Sequence, residues 1–265
     1  DSESLESLSD FEKCLFKAPN DFARALDEVS SVGMYRDPSF ECPKVYARFI
    51  KELIDCGIAG LSSRVKGRVS AFFVGKKKKP GEAQMRRRLI LDCRRINTLF
   101  RRPPRTVLGS VEALSKLRIP SGQERAWNDQ LFIAQEDVQD YFYRLFLPRE
   151  LAEWFGLDPV VISILISLYE SAGESIPPEV EAFRDVHGPV FPYMKVMSMG
   201  WSWAFFLAQQ AHEELARRAV PDHDLIRERC APPKLSRDRC ALMVYADNAN
   251  HASLSEQKSN ESLEL

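Results

Sequence analysis

Two short apolar runs, far apart in the chain, each end at an aspartate. LFIAQED covers residues 131–137 and ALMVYAD covers residues 241–247. Runs of this length and composition predict buried β-strands. If the two strands are neighbours in one sheet, two carboxylates meet at its edge, and such a pair repels itself unless a cation lies between the acids. The alternative is two unrelated surface aspartates, and the pattern alone does not choose between them.

The rest of the pattern predicts helices mixed with strands. Apolar residues recur at helical spacing in three segments: 20–33, 43–57 and 203–219. Residues 69–76 and 88–93 are short and apolar, which predicts a β-hairpin. Residues 160–169 suit either a strand or a helix, and we favour the helix. This order indicates an α+β domain rather than an alternating β-α-β fold.

Charge is unevenly distributed along the chain. The net charge is −1, yet residues 64–105 contain fifteen Lys and Arg residues against two acids, Glu82 and Asp92. A basic block inside an otherwise acidic protein indicates a local site for a polyanion. A solvated charged face is the alternative explanation.

Cysteine usage and hydropathy bear on the compartment. The six cysteines are dispersed, and no CxxC pair occurs, so a zinc site is not expected and a reducing intracellular setting is. No apolar run reaches the roughly 18 residues of a membrane span, and no signal-peptide pattern opens the sequence. We therefore expect an intracellular protein, cytoplasmic or nuclear, that is not secreted and makes no membrane contact. The absence of an initiator Met suggests a fragment or a processed product.

A further stretch, FPYMKVMSMGWSWAFF (191–206), predicts a strand, then Gly200, then the start of a helix. Glycine at such a place lets backbone approach a ligand closely. Trp201 and Trp203 offer flat surfaces on which bases can stack, although buried core aromatics would give the same pattern.

Four motifs in order now suggest a family. They are FFVGKKKK with RRLILDCRRIN (72–97), DVQDYFY (137–143), VMSMGWSWAFF (196–206) and YADN (245–248). Over residues 45–250 the chain resembles the fingers and palm of reverse transcriptases (RNA-directed DNA polymerases) of retrotransposons and retroviruses. The resemblance implies an α+β polymerase fingers–palm fold with a small antiparallel sheet packed on helices and no thumb. The implied regions are a helical lead-in (1–44), a fingers-like region (45–130), a palm-like region (131–252) and a disordered tail (253–265).

The resemblance also implies roles for particular residues. Asp137 and Asp247 match the catalytic acids that hold two Mg²⁺ or Mn²⁺ ions, with Asn248 as a weak third ligand. The residues implied to bind the nucleotide are Lys76 or Lys77, Arg88, Asp140, Phe142 and Met199. The residues implied to contact the template–primer are Arg94, Asn97, Gly200, Trp201 and Tyr245. A ring at Phe142 would collide with a ribose 2′-hydroxyl, which favours deoxynucleotides, so the implied partners are a dNTP and an RNA or DNA template–primer.

The sequence departs from the family in four respects. YADN has a neutral Asn248 where the family has a second aspartate, and Met199 stands where the family has Gln. The polar residues after Asn248 predict no second strand, and no thumb or RNase H segment follows. We therefore expect a truncated relative, one part of a longer polyprotein, that is weakly active or inactive alone. The alternatives are a non-catalytic nucleic-acid-binding remnant and a protein-interaction domain.

Overall fold

The computed structural model describes residues 10–75, 87–118, 130–221 and 224–261. The chain divides into two compact units. The first unit comprises residues 1–103 and 142–204, and the second comprises residues 104–141 and 205–265. This division differs from the sequence-based boundaries, because residues 104–118 belong with the second unit and residues 142–204 with the first.

The described residues form a mixed α+β structure with small antiparallel sheets, as the sequence predicted. The α-helices are α1 (Asp10–Leu15), α2 (Pro19–Glu28), α3 (Pro43–Asp55), α4 (Arg94–Asn97), α5 (Val111–Ser115), α6 (Tyr141–Arg144), α7 (Arg149–Ala152), α8 (Ile162–Ala172), α9 (Pro178–Glu181), α10 (Ala204–Ala219) and α11 (Glu256–Glu261). The strands are β1 (Ala59–Ser62), β2 (Ser70–Gly75), β3 (Arg87–Asp92), β4 (Phe132–Asp137), β5 (Phe191–Met194), β6 (Ala241–Tyr245) and β7 (Asn248–Ser253). None of the described helices is long and apolar enough to cross a membrane.

The first unit is built on helix α3 and two pairs of antiparallel strands. Pro43 opens α3, and Gly57 follows its end with φ of 73°, a left-handed conformation that suits glycine. Strand β1 pairs with β5, and β2 pairs with β3 in the predicted hairpin, whose connection at 76–86 lies outside the described residues. The ambiguous segment 160–169 lies mainly in α8, so the preference for a helix is confirmed.

An aromatic cluster fills the core of the first unit. Phe16 stacks on Phe100 with ring centroids 4.3 Å apart and lies 4.7 Å from Trp154. The carboxylate of Glu12, on α1, is buried beside this cluster and accepts a 2.8 Å hydrogen bond from Trp154 Nε1. Lys66 Nζ lies 2.8 Å from the same oxygen, so the buried charge is paired, as burial requires.

The second unit is a three-layered structure around one sheet with strand order β4–β7–β6. On one face, Leu242, Val244 and Ala249 pack with Ala216 of helix α10. On the other face, Ala241 and Ala252 pack with residues that include Ala113 of α5. The alternation of these faces along β6 and β7 follows from the two-residue repeat of a strand.

Strand β7 corrects one expectation. The sequence predicted no strand after YADN, yet Asn248–Ser253 forms the central strand and bonds to both neighbours. Its polar side chains find partners inside the unit: His251 Nε2 lies 3.2 Å from Glu136 Oε1, and Ser253 Oγ donates to the carbonyl of Arg239 at 2.8 Å. A polar sequence can therefore form a central strand, because satisfied hydrogen bonds offset the cost of burial.

The predicted disordered tail is also corrected in part. Helix α11 covers Glu256–Glu261, and Ser259 is buried against the sheet. Its hydroxyl accepts a hydrogen bond from Ala134 N and donates one to the carbonyl of His251, both at 3.0 Å. Strand β4 differs from expectation as well, because it is an edge strand with Ile133 exposed rather than a buried one.

Candidate active site

The two aspartates singled out in the sequence lie at the same end of the second unit's sheet. Asp137 is the last residue of β4 and is paired in register with Asn248, the first residue of β7. The backbone N–H of Val138 donates to the carbonyl of Asp247 at 2.8 Å. The antiparallel register of β4 and β7 therefore brings Asp137 beside the hairpin turn that carries Asp247.

The turn between β6 and β7 has an unusual backbone. Ala246 has φ of 49°, in a left-handed region that residues with a Cβ adopt rarely and at a cost of about 1–3 kcal/mol. Tyr245 is paired directly with Asn248 across the turn, so only Ala246 and Asp247 connect the strands. A two-residue hairpin of this kind favours positive φ at its central residues, and it projects Asp247 from the sheet end.

Buried polar side chains from helix α10 hold this turn. Gln209 accepts a hydrogen bond from Ala246 N at 2.8 Å and donates to the carbonyl of Val244 at 3.0 Å. His212 Nδ1 lies 2.6 Å from the carbonyl oxygen of Ala246, to which it can donate. These hydrogen bonds are buried, so losing a partner would be costly. The helix thus fixes the conformation of the turn that presents Asp247.

A second turn follows Asp137. Asp140 has φ of 56°, and Tyr141 then enters the interior of the second unit, where its hydroxyl donates to the carbonyl of Ala208 at 3.0 Å. Burial, and secondly the negative charge of Asp247, raise the pKa of Tyr141 to about 12. Tyr141 therefore stays protonated and anchors the chain immediately after this turn.

The donor set at this edge fits a hard divalent cation. Carboxylate and amide oxygens are the ligands that Mg²⁺ prefers, and it typically binds through one or two carboxylates with water and substrate phosphates completing the shell. Asp137 is exposed and Asp247 is half-buried, so neither side chain is fully enclosed by the protein. Among the described parts of the chain no three acidic, His or Cys side chains form a metal-binding group.

Asn248 is oriented toward its neighbour. Its side-chain Nδ2 donates to Asp247 Oδ1 at 2.9 Å. The amide nitrogen therefore satisfies one carboxylate oxygen that would otherwise be available to a cation. The weak-ligand role of Asn248 would fall to its side-chain oxygen, Oδ1, because the nitrogen is the donor in this bond.

The first unit contains the other predicted nucleotide-binding residues. Arg88 is exposed on β3, opposite Val74, and Phe142 is half-buried at the start of a first-unit segment. Met199 is also half-buried. Lys76 and Lys77 lie outside the described residues.

Two predicted template–primer contacts are engaged inside the first unit. The Arg94 guanidinium forms a bidentate pair with buried Asp92, with nitrogen–oxygen distances of 2.9 and 2.6 Å. Asn97 bonds the 200–202 turn through both ends of its amide: Nδ2 donates to the carbonyl of Gly200, and Oδ1 accepts from Ser202 N, each at 2.9 Å. These side chains hold the fold, and their predicted contacts with a template–primer stay a prediction.

Gly200 and Trp201 likewise serve packing. Gly200 has φ of 125°, and a Cβ there would lie 2.4 Å from the carbonyl oxygen of Leu91, so glycine is needed for backbone packing against β3. Trp201 is only 3% exposed and lies edge-on to Phe100 and Phe155, with centroids 5.3 Å away in each case. Its ring is a core aromatic, so the predicted base-stacking surface is absent at this position.

Tyr245 is the predicted template–primer residue that belongs to the second unit. It is 46% exposed, with its ring 5.6 Å from that of Phe205. An exposed aromatic ring close to Asp247 is accessible to a ligand, so the role of Tyr245 stays a prediction.

Sequence reasoning missed the residues that hold the turn. Neither Gln209 nor His212 was assigned a role from the sequence, yet His212 is buried against the turn. A signal was present in the helix pattern, because Gln209 and His212 are polar residues three apart on a helix that is otherwise apolar at its start. Such a pair on the buried side of a helix must find partners.

Comparison with known proteins adds no family assignment. The sequence matches no protein-family model, and no curated protein shows significant similarity to it.

Proposed function

We propose that this chain is a reverse-transcriptase-like domain that adds deoxynucleotides to a primer on an RNA or DNA template. The observation that carries the proposal is the position of Asp137 and Asp247 at one end of adjacent strands, with Asp247 on a tight hairpin turn. The order of the four sequence motifs selects the same two acids. The fingers–palm organisation and the intracellular setting belong to this proposal.

Two Mg²⁺ or Mn²⁺ ions, when bound, would supply charge neutralisation of a triphosphate and activation of a primer 3′-hydroxyl. The chain's own contribution is to hold the carboxylates of Asp137 and Asp247 in place. Gln209 and His212 fix the turn that bears Asp247, and Tyr141 anchors the segment after Asp137. Preorganisation of this kind lowers the reorganisation needed during reaction.

Further residues named by the resemblance would supply the substrate contacts. Arg88 is exposed and its guanidinium suits phosphate oxygens. Lys76 or Lys77 would act with Arg88, and Phe142 would exclude a ribose 2′-hydroxyl. These roles come from the resemblance, and each is open to substitution.

We expect weak activity. Asn248 contributes no charge, and its amide competes for one oxygen of Asp247. A cation at this edge would therefore meet two carboxylates rather than three. Mn²⁺, which binds such oxygen sites more tightly than lighter hard cations, should support more synthesis than Mg²⁺.

Primer extension tests the proposal. The full chain is incubated with poly(rA), an oligo(dT) primer, dTTP and either Mg²⁺ or Mn²⁺. We expect incorporation that falls at least 100-fold in Asp137→Asn and in Asp247→Asn, while Asp238→Asn, an exposed acid of the same unit, changes it less than twofold. Incorporation that survives both aspartate substitutions would exclude this site as the source.

A second candidate function is nucleic-acid binding without synthesis. The hydrogen bond from Asn248 to Asp247 favours it, because an acid satisfied by an internal amide has less need of a cation. This candidate predicts salt-dependent binding to the same poly(rA)–oligo(dT) with no incorporation in either metal. Binding by the parent chain without incorporation in either metal would distinguish it from the polymerase.

A further inference from the structure

A cavity of about 360 Å³ lies in the second unit, between residues 105–118 and residues 226–235. The two segments are joined near each end. Glu228 N donates to the carbonyl of Leu108 at 2.8 Å, and Arg118 N donates to the carbonyl of Pro233 at 3.1 Å. Between these points the segments separate and leave the cavity, whose volume lies in the range of roughly 300–1,000 Å³ typical of small-ligand sites.

The cavity is separate from the aspartate pair. Ile226 N donates to the carbonyl of Leu242 at 2.8 Å, so the segment that forms one wall runs beside β6. Asp137 ends β4, at the opposite edge of the same sheet. A ligand in the cavity would therefore occupy a different site from the one proposed above.

Positive charge predominates around the cavity. Four basic side chains line it against two acidic ones: Arg105, Lys116, Arg227 and Arg229, with Glu112 and Glu228. Lys116 is paired with Glu112, and Arg227 lies 3.6 Å from Glu213 outside the lining. Within the described chain, the guanidinium groups of Arg105 and Arg229 have no such ion pair, so both remain able to bind an anion.

Arg229 is an exposed residue of the cavity lining. Arg229 has φ of 60°, a conformation rare for a residue with a Cβ. Arginine guanidinium groups are well matched to phosphate oxygens, because their N–H groups can bond two oxygens at once. Two arginines that line one cavity, and that have no ion pair within the described chain, are therefore suited to a phosphate group.

The inner surface has a different character. Ala113, Ile226 and Pro233 are buried residues of apolar type in the lining, and together they are called the floor of the cavity. A floor of this kind favours the flat, weakly polar face of a base or sugar, while a phosphate alone would gain nothing from it. The combination of an apolar floor and exposed arginines in one lining matches a ligand with one organic end and one anionic end.

We propose that this cavity binds a nucleoside phosphate, with the phosphate on Arg105 and Arg229 and the nucleoside against the apolar floor. The nucleotide could be free or could be one unit of a nucleic-acid strand, since both present the same chemistry. Binding here requires neither Asp137 nor a divalent cation.

Cys230 provides a direct reporter. It lines the cavity and is exposed, whereas Cys42 and Cys56 are exposed in the other unit. The alkylation rate of each cysteine by N-ethylmaleimide is measured by peptide mass spectrometry in EDTA, with AMP, adenosine, inorganic phosphate or a 12-nucleotide single strand as the probe. We expect AMP to slow alkylation of Cys230 at least fivefold and saturably, without protecting Cys42 or Cys56, and adenosine to have much less effect.

The probes separate the possible outcomes. If the 12-nucleotide strand protects Cys230 at a lower concentration than AMP does, with both concentrations counted in nucleotides, the ligand is a strand. If AMP protects Cys230 at the lower concentration, the ligand is a free nucleotide. Equal protection by inorganic phosphate would overturn the assignment of a nucleoside. Protection by adenosine equal to that by AMP, or no protection by any probe at millimolar concentration, would overturn the proposal.

Charge reversal completes the test. Arg105→Glu with Arg229→Glu should raise the AMP concentration that gives half-protection by at least tenfold. The matched control, Arg237→Glu with Lys258→Glu, reverses two exposed charges outside the cavity in the same unit and should shift it less than twofold. If the double variant fails to fold by circular dichroism, Arg105→Gln alone replaces it, with at least a threefold shift expected. An unchanged half-protection concentration in the folded variant would overturn the proposal.

Discussion

Gln209 accepts a hydrogen bond from the backbone N–H of Ala246 at 2.8 Å, although the two residues lie 37 positions apart. Through the same amide it donates to the carbonyl of Val244. One buried side chain therefore bonds the backbone just before Asp247 at two points. The conformation of the hairpin turn depends on a residue in helix α10.

Replacing Gln209 by Met should destabilise the second unit and loosen the turn. The substitution keeps a similar volume but leaves Ala246 N and the carbonyl of Val244 buried without partners, at a cost of about 2–4 kcal/mol in the free energy of unfolding. Urea denaturation measures the loss. Gln210→Met changes an exposed neighbour on the same helix and should cost less than about 0.5 kcal/mol. Equal effects of the two substitutions would show that Gln209 does not hold the turn.

Replacing Asn248 by Asp should increase cation binding at the sheet edge. The substitution removes the amide that bonds Asp247 Oδ1 and adds a third carboxylate. The three carboxylates repel one another, and a bound cation relieves that repulsion, so cation binding becomes more favourable. We expect Mn²⁺ affinity, measured by isothermal titration calorimetry, to rise about tenfold and incorporation in primer extension to rise with it. The same substitution in an Asp137→Asn background should give no gain in incorporation.

Replacing Gly200 by Ala should destabilise the first unit. The new Cβ would lie 2.4 Å from the carbonyl oxygen of Leu91, and φ of 125° is unfavourable for alanine. We expect a loss of about 2–4 kcal/mol, judged from the cost of overpacking together with backbone strain. Gly188→Ala is the matched control, because a Cβ there meets nothing within 4 Å. A melting temperature that is the same in both variants would contradict the packing role of Gly200.

Acid should weaken the first unit through Asp92. The hydrogen bonds from Arg94, supported by the N–H of Tyr35 at 2.8 Å, lower the pKa of this carboxyl from 3.8 to about 2. The folded state therefore binds the proton less readily than the unfolded state, so this stabilisation is present above pH 3.8 and is lost as the pH falls from about 4 towards 2. Asp92→Asn should lower stability at pH 7 by about 1–3 kcal/mol and flatten the acid limb of the stability curve. An acid limb identical to that of the parent chain would exclude Asp92 as its source.

Mild acid should weaken the second unit through His251. Burial lowers the pKa of His251 below its usual 6.5, and the neighbouring Glu136 offsets only part of that effect. The unfolded state therefore takes up a proton first, so stability is full above about pH 6.5 and falls as the pH drops below that value. Chemical denaturation between pH 7.5 and 5 measures the change. In His251→Gln this part of the pH dependence should disappear, and its persistence would assign it to another group.

Local sequence signals predicted the elements that depend on local chemistry. Pro43 and Gly57 mark the two ends of helix α3, because the fixed φ of proline suits a helix start and the left-handed conformation suits glycine. The aspartates at the ends of β4 and near the end of β6 were likewise found from short apolar runs. Their proximity could only be a hypothesis, since strand order depends on contacts between distant residues.

Non-local contacts decided what the sequence did not predict. Strand β7 is polar, and its buried His251 is accommodated by Glu136 from a strand more than 100 residues earlier. Trp201 and Asn97 suit a nucleic-acid surface by residue type, yet their neighbours Phe100 and Gly200 make them part of the core and of a turn. Residue type determines the chemistry that a side chain can perform, whereas the neighbouring residues determine whether the side chain is exposed to a ligand.

The hydroxyl of Ser259 links β4 to β7 where Ala134 and His251 face each other. Neighbouring strands normally bond each other through backbone groups alone. Here a side chain from the last described helix also bonds both strands. Proteolytic removal of that helix would take one hydrogen-bond partner from Ala134 N and one from the His251 carbonyl, beside an edge strand that already exposes Ile133. Shortened versions of this protein that end before residue 256 should therefore self-associate through β4, even though every strand of the sheet is still present.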